Sequence, residues 1–168
     1  MAREISSGGV VVREIAGAWH VALIEPQKES SKTAKTRRKP TRAVLALPKG
    51  LVDAGETPQA AAVREVYEET GIVALIVVKL ADIKYVYVRT WGDGEKVFKI
   101  VSFYLLRYVS GEIDDVTPEM RIEVKRAVWV PLAEAEPQMA YSQERKVVRQ
   151  AREYLASHEL SSGKSAAR

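Results

Sequence analysis

Three glutamates lie within one short stretch of the chain, at Glu65, Glu68 and Glu69. At about 100° of rotation per residue, their side chains fall within an arc of roughly 100° on one face of a helix. Like charges at these spacings destabilise an isolated helix by roughly 0.2 to 0.5 kcal/mol per pair, so the cluster requires a compensating cation. Magnesium is commonly held by carboxylates together with substrate phosphates. The spacing therefore predicts a metal-dependent site for a diphosphate.

The helix that carries these glutamates is predicted to begin after Thr57 and to end at Gly71. Thr57 suits the N-cap, and Pro58 suits the first helical position, where its missing N–H costs nothing. The opposite side of the helix is expected to face the core, so the carboxylates are expected to point to solvent. That core side comprises Val63, Val66, Tyr67 and Thr70.

Segments rich in β-branched and aromatic residues precede this helix. Ser6–Arg13 and Trp19–Glu25 are predicted to pair as two strands through a glycine-containing turn. Ala43–Leu47 is predicted to be a short buried strand that stops at Pro48, and Lys49–Thr57 is predicted to be an irregular loop.

More strands and a second helix are predicted to follow. Ile72–Val88 and Val97–Val109 have strand composition and are joined around Gly92-Asp93-Gly94, a strong hairpin signal, and Arg121–Val130 is a further strand candidate. Apolar residues at helical spacing from Ser142 to about His158 predict an amphipathic closing helix. The predicted fold class is therefore α/β (α+β), with a mixed central sheet sandwiched between two helices.

The composition excludes several classes of site. The 168 residues include no cysteine, which excludes disulfides, thiolate metal sites, iron–sulfur clusters and a cysteine nucleophile. The longest apolar run, Ile72 to Val78, is far shorter than the roughly 18 residues needed to cross a bilayer, and the first residues lack a hydrophobic signal core. No membrane partner and a cytoplasmic location are therefore expected.

The positive charge is concentrated in one segment. The net charge is +4, yet residues 27–42 carry seven basic residues and one acidic residue, which leaves −2 for the rest of the chain. With a single apolar residue, Ala34, this segment is predicted to be a mobile loop. A solvated insertion, a steering element for a polyanion, and a contact with RNA or an inositol pyrophosphate remain open interpretations.

The stretch from Gly50 to Ile72 reads GLVDAGETPQAAAVREVYEETGI. It resembles the signature of the Nudix hydrolases: a Gly, five residues, a Glu, seven residues, then Arg-Glu-aliphatic-any-Glu-Glu-any-Gly-aliphatic. Agreement by chance is on the order of 10⁻⁷ over the chain at average residue usage. The matching positions are Gly50, Glu56, Arg64, Glu65, Val66, Glu68, Glu69, Gly71 and Ile72.

The resemblance extends over roughly residues 3–157 and implies a Nudix-type α/β/α sandwich. We expect a single Nudix hydrolase domain over residues 1–160, with the basic mobile loop at 27–42 and a disordered tail at 161–168.

The resemblance also implies a chemistry: water attacks phosphorus in a nucleoside diphosphate linked to another moiety, with Mg²⁺ or Mn²⁺ present. The implied metal-binding set is Glu65, Glu68, Glu69 and Gly50. Glu65 is the first choice for the general base. Some family members use a later glutamate, for which Glu123 is the candidate, with a solvated loop carboxylate as its alternative. Arg64 is expected to orient a carboxylate.

Residues outside the signature bear on the substrate. Leu47-Pro48-Lys49-Gly50 resembles the corresponding segment of asymmetrical diadenosine tetraphosphate hydrolases, which implies that Lys49 lies beside the phosphate chain. Lys99 resembles a second lysine facing the same cleft, although a histidine often seen near it is replaced by Ser102 or absent. Tyr104 and Tyr85 are candidates to stack an adenine, with ordinary packing as the alternative.

The best substrate hypothesis from these residues is diadenosine tetraphosphate, cleaved to ATP and AMP. The alternatives keep the chemistry and change the substrate to a nucleoside triphosphate (including an oxidised one), an RNA 5′ end, a nucleotide sugar or a diphosphoinositol polyphosphate. A further alternative is a non-catalytic nucleotide-sensing module. A small polyphosphate partner is expected, and nucleic acid is not.

Overall fold

Six strands form one mixed sheet in the computed structural model, which describes residues 2–27 and 43–160. The strands are β1 (Ala2–Ile15), β2 (Ala18–Pro26), β3 (Lys49–Leu51), β4 (Val73–Val88), β5 (Lys96–Ser110) and β6 (Val124–Pro131). Two helices, α1 (Pro58–Thr70) and α2 (Ser142–Ser157), complete the fold. The predicted mixed sheet flanked by two helices is thus confirmed.

The first strand organises the sheet. The strand order is β4-β5-β1-β2-β6, and the short β3 also pairs with β1. β1 runs parallel to β5 and antiparallel to β2 and β3. Because Ser7 pairs with Gly50, the start of the signature lies directly beside the central strand.

Alternate residues of β1 supply the cores on the two faces of the sheet. Val10 and Val12 pack in a cluster with Val148 of α2, whereas Val11 packs in a separate cluster with Val66 of α1. This two-residue alternation is the ordinary consequence of a pleated strand with a helix on each face. Burial of each such side chain contributes about 1.5 to 3 kcal/mol to folding.

The predicted boundaries of α1 are confirmed. The Thr57 hydroxyl accepts a hydrogen bond from the N–H of Ala60 at 3.1 Å, and Pro58 is the first helical residue. Gly71 ends the helix in the left-handed region at φ 84°, and its N–H donates to the carbonyl of Tyr67 at 2.9 Å. A glycine adopts this conformation without the steric cost of a Cβ.

Two predictions ahead of α1 were wrong. Residues 43–47 do not form a regular strand: only Leu45 and Ala46 pair, as isolated bridges to Met139 and Ile24. The predicted loop at Lys49–Thr57 instead begins as strand β3, because β1 leaves an edge free on which three residues pair.

Other boundaries also differ from the predictions. β1 begins at Ala2 rather than Ser6, since its first residues pair with β5 from Val97 onward. The start of the predicted strand at Arg121 is a 3₁₀ turn, Met120–Ile122, followed by β6. Residues 28–42 of the predicted basic loop and the predicted tail at 161–168 lie outside the described residues. Among the described residues, no helix has the length and apolar character to cross a membrane.

Candidate active site

Two of the three glutamates of α1 are turned inward, which corrects the prediction that all of them point to solvent; the Glu68 side chain is 40% exposed. Glu65 and Glu69 are 8% and 7% exposed, whereas Tyr67, predicted to be in the core, is 53% exposed. The cause is strand β3, which packs against α1 and covers these two carboxylates. The backbone N–H of Lys49 donates to the Glu69 carboxylate at 3.0 Å.

Gly50 lets β3 approach the helix this closely. A Cβ added at Gly50 would overlap the carboxyl carbon and both oxygens of Glu65, so no residue with a side chain fits without displacing one of them. The glycine at this position of the signature therefore has a steric reason in this chain, because it makes room for a carboxylate.

Arg64 gathers the carboxylates of the signature around one guanidinium. It donates two hydrogen bonds to Glu56, at 2.8 and 2.9 Å, and one each to Glu65 at 2.9 Å and Glu68 at 3.1 Å. It also donates to the carbonyl of Leu51 in β3 at 2.9 Å and lies 3.5 Å from the Asp53 carboxylate. The bidentate pair with Arg64 lowers the pKa of Glu56 to about 2. Arg64 thus contacts three of the signature's carboxylates at once.

The two inward carboxylates are poorly solvated as they stand. Burial raises the pKa of Glu69 to about 8, even though the Lys49 N–H favours the ionised form. Burial also raises the pKa of Glu65, against the opposing effect of Arg64. A carboxylate held in this way is stabilised in its charged form by an added cation.

An acidic groove of about 390 Å³ brings together residues that are far apart in the sequence. Glu65 and Glu68 line it from α1, Lys99 from β5, and Glu123 from the segment before β6. The complete lining is Ser6, Lys49, Gly50, Leu51, Asp53, Glu65, Glu68, Lys99, Met120 and Glu123.

The segment that carries Glu123 is anchored by Asp114. Arg121 donates to the Asp114 carboxylate at 2.7 Å and to its carbonyl at 2.6 Å, and the same carboxylate accepts the N–H of Ala127 at 2.8 Å. These bonds lower the pKa of Asp114, with the Arg121 hydrogen bond as the main cause. Glu123 therefore reaches the groove on a fixed segment.

The groove's donors suit a hydrated divalent ion. No three acidic or histidine side chains of the described residues are close enough to hold an ion as they stand, and Glu65 and Glu68 are hydrogen-bonded to Arg64. The donor set is nevertheless carboxylate oxygen, which Mg²⁺ prefers. Ser6 adds a buried hydroxyl on the groove wall that has no partner among the described residues. A hydrated ion offers both the charge and the polar atoms that these groups lack.

A second cavity of about 480 Å³ lies next to the acidic groove. We call it the aromatic cavity; its lining is Lys49, Ile83, Tyr85, Val101, Phe103, Ala140, Tyr141, Ser142, Gln143 and Glu144. Tyr85 and Tyr141 are partly exposed at its walls, and Phe103 is buried within it. Lys49 belongs to both cavities, so a ligand can extend from one to the other past its ammonium.

The two predicted phosphate-binding lysines have different surroundings. The Lys49 ammonium lies 3.3 Å from the Glu144 carboxylate; burial opposes its charge, but Glu144 raises the net pKa of Lys49. Burial lowers the pKa of Lys99, and the Glu4 carboxylate at 3.9 Å offsets this only in part. Both ammonium groups reach the acidic groove.

Comparison with known proteins identifies the family. A NUDIX domain model matches residues 15–151 of the chain. The chain belongs to the Nudix family.

Two curated Nudix relatives are from mycobacteria. The chain is 36% identical over 155 residues to "Putative mutator protein MutT4" of Mycobacterium tuberculosis (strain CDC 1551 / Oshkosh), which is 90% of this chain and 56% of that protein. It is 35% identical over 103 residues to an 8-oxo-(d)GTP phosphatase of Mycolicibacterium smegmatis (strain ATCC 700084 / mc(2)155), which is 61% of this chain and 28% of that protein. The chain thus spans 56% or less of the length of these relatives.

A solved structure supports the Nudix fold independently. The binary complex of a C. elegans Ap4A hydrolase matches with a TM-score of 0.66 at 22% identity, over 92% of this chain and 99% of that one. At 22% identity, this similarity shows a shared fold and nothing about the substrate of this chain.

One residue of this Nudix chain that was predicted to bind the base, Tyr104, lies outside the aromatic cavity. Tyr104 is 4% exposed and packs with Val66 of α1, on the face of β5 opposite the aromatic cavity, so it cannot stack a base there. Its neighbour Phe103 faces the cavity instead. The predicted Tyr85, Lys49, Lys99 and Glu123 do line the two cavities.

Sequence reasoning missed Ser6 and Glu144. Ser6 sits in a strand pattern that gives no sign of a groove. Glu144 lies on the first turn of an amphipathic helix, where an acidic residue is ordinarily explained by the helix dipole. Only its burial next to Lys49 marks it as part of the site.

Proposed function

We propose that this Nudix protein is a Mg²⁺- or Mn²⁺-dependent hydrolase that cleaves a phosphoanhydride bond of a nucleoside polyphosphate. The base occupies the aromatic cavity, and the phosphates pass Lys49 into the acidic groove. One observation carries the proposal: Lys49 lines both an aromatic and an acidic cavity. A nucleotide substrate requires a site for its base, then cations for its phosphates, then metal ligands. The aromatic cavity, Lys49 and the acidic groove follow this order.

The metal would be held by Glu65 and Glu68, which line the groove with Gly50 of β3, and by Glu69, whose carboxylate lies beside the groove against the N–H of Lys49. When bound, the ion neutralises charge on the phosphates and acidifies a water. Arg64 keeps Glu65 and Glu68 at the groove by the contacts described above, and a bound cation would compete with Arg64 for these two carboxylates.

The proton of the attacking water goes to a glutamate at the groove. Glu65 and Glu123 both line it, and Glu65 is the first choice because it belongs to the signature and its carboxylate packs directly against Gly50. Lys49 and Lys99 bind phosphate oxygens. An ammonium aimed at a phosphate stabilises the charge that develops in the transition state.

The substrate we favour is diadenosine tetraphosphate, cleaved to ATP and AMP. It is supported by Lys49 in the Leu47-Pro48-Lys49-Gly50 segment and by the second lysine, Lys99, in the same groove. A cavity of about 480 Å³ with Tyr85 and Tyr141 at its walls is large enough for one nucleobase. The similarity to a protein named as an 8-oxo-(d)GTP phosphatase favours an oxidised nucleoside triphosphate as a second candidate.

The test is product analysis. The protein is incubated with diadenosine tetraphosphate and Mg²⁺, and the nucleotides are separated by ion-exchange chromatography. Equal amounts of ATP and AMP are expected. Two ADP molecules, or no turnover, would reject the substrate.

A panel measured in parallel discriminates the remaining candidates by kcat/KM. It contains 8-oxo-dGTP, dGTP, a nucleotide sugar, a triphosphorylated RNA and a diphosphoinositol polyphosphate. A non-catalytic sensing module would bind one of these tightly without turnover and would be indifferent to Glu69→Gln. Hydrolysis in ¹⁸O-labelled water identifies which phosphorus is attacked.

A further inference from the structure

Glu144 is a buried carboxylate with two well-defined partners. It lies on the first turn of α2 and is 5% exposed. One carboxylate oxygen accepts the N–H of Leu47 at 2.8 Å, and the other lies 3.3 Å from the Lys49 ammonium. A buried carboxylate is strongly unfavourable unless it is hydrogen-bonded and paired. Both of its oxygens have a partner here, 95 and 97 residues away in sequence.

These contacts fix Lys49 from the side opposite α1. The backbone N–H of Lys49 bonds to Glu69 of α1, and its ammonium meets Glu144 of α2. A lysine side chain loses much rotamer entropy when it is held in one position, so an unpaired Lys49 would occupy many rotamers. An ammonium has three donors, so pairing with one carboxylate oxygen leaves donors for a phosphate.

We propose that Glu144 is a positioning residue that holds the Lys49 ammonium at the junction of the aromatic cavity and the acidic groove. It acts through Lys49 and does not touch the reacting atoms. The inference rests on the proposed function, because that function gives Lys49 a polyphosphate to bind. It also makes the first turn of α2, which lines the aromatic cavity, part of the phosphate site.

The isosteric variant Glu144→Gln separates positioning from a merely structural role. The amide oxygen can still accept the N–H of Leu47, but the charge facing Lys49 is gone. We expect an unchanged melting temperature, a KM for the polyphosphate raised about tenfold and a kcat within about threefold of wild type. Glu144→Ala, which also loses the Leu47 bond, raises KM similarly and lowers the melting temperature. Glu153→Gln, an exposed glutamate on the same helix, is the matched control with unchanged constants.

A purely structural role makes the opposite prediction for Glu144→Gln. If Glu144→Gln keeps both the melting temperature and the KM of wild type, the positioning role is overturned. In a Lys49→Met background, Glu144→Gln should raise KM no further, because its effect runs through the absent ammonium. A second, multiplicative increase in that background would also overturn the proposal.

A ligand-free measurement keeps this inference distinct from the proposed function. By NMR, the ¹⁵N-labelled Lys49 ammonium of the wild type should give an ordered, slowly exchanging signal that Glu144→Gln abolishes. If no polyphosphate is cleaved but this signal behaves as expected, the function is wrong and the anchor is right. If polyphosphates are cleaved but the signal is insensitive to Glu144→Gln, the anchor is wrong.

Discussion

Replacement of Gly50 by alanine tests the claim that β3 and α1 are packed around a carboxylate. The added Cβ would overlap the carboxyl group of Glu65, so either β3 or Glu65 must move. Restoring ordinary contact of 3.4 Å or more requires a displacement of more than about 1 Å. A displacement of this size can cost on the order of 100-fold in turnover when it affects a catalytic group. Overpacking at such a site costs about 1 to 3 kcal/mol of stability.

The assay is kcat for polyphosphate hydrolysis at saturating Mg²⁺, with stability measured by urea unfolding. We expect Gly50→Ala to lose about 100-fold in kcat while remaining folded. Gly17→Ala is the matched control: its added Cβ meets nothing within 4 Å, although φ of +81° imposes backbone strain. It should lose stability but keep kcat. Full activity in Gly50→Ala would refute the steric reasoning.

Four further substitutions probe the glutamate cluster, the segment that carries Glu123 and the aromatic cavity. Glu69→Gln should lower kcat by orders of magnitude without loss of metal-free stability, since burial disfavours the charge it removes; a destabilised variant in thermal unfolding would contradict this. Asp114→Asn should be less stable than wild type at neutral pH, and the difference should shrink as pH falls below about 3.8 and vanish below the still lower folded pKa, because the folded protein lowers the pKa of this carboxyl; a difference independent of pH in urea titrations argues against it. Tyr85→Ala should raise KM, whereas Tyr104→Phe should leave both kinetic constants unchanged; the reverse pattern would reassign the base site.

The sign of the Asp114 effect follows from proton linkage. A depressed pKa means that the unfolded chain binds more protons near pH 3.8, so the stabilisation is complete above that pH and is lost as pH falls through the folded pKa. Because Asp114 holds Arg121 and the N–H of Ala127, the variant should also loosen the segment that carries Glu123.

Local signals in the sequence were sufficient for the limits of the helix and the spacing of its carboxylates. Thr57, Pro58 and Gly71 set the limits of α1 through local backbone preferences, and the glutamate spacing placed three carboxylates on one face. Helical periodicity likewise predicted α2. These features depend only on residues close together in the chain.

The direction of that glutamate face could not be predicted from periodicity. A carboxylate face is ordinarily solvated, but here β3 pairs with β1 and closes over Glu65 and Glu69. Glycine at position 50, which permits this, has meaning only once its neighbour across the fold is known.

The remaining errors have two sources: which face of a strand a side chain occupies, and which residues far apart in the sequence form a pair. Phe103 and Tyr104 are adjacent in a strand buried on both faces, so hydrophobicity does not reveal which of them faces the cavity. The contact of Glu144 with Lys49 joins segments 95 residues apart, and nothing local to either residue indicates it.

The most direct test of the central claim is a crystal structure with Mn²⁺ and a non-hydrolysable analogue of diadenosine tetraphosphate. The proposal predicts an anomalous peak in the acidic groove with oxygens of Glu65, Glu68 and Glu69 around it, and a base against Tyr85 in the aromatic cavity. Glutamates still held by Arg64, with the ion and the phosphates bound elsewhere, would contradict it.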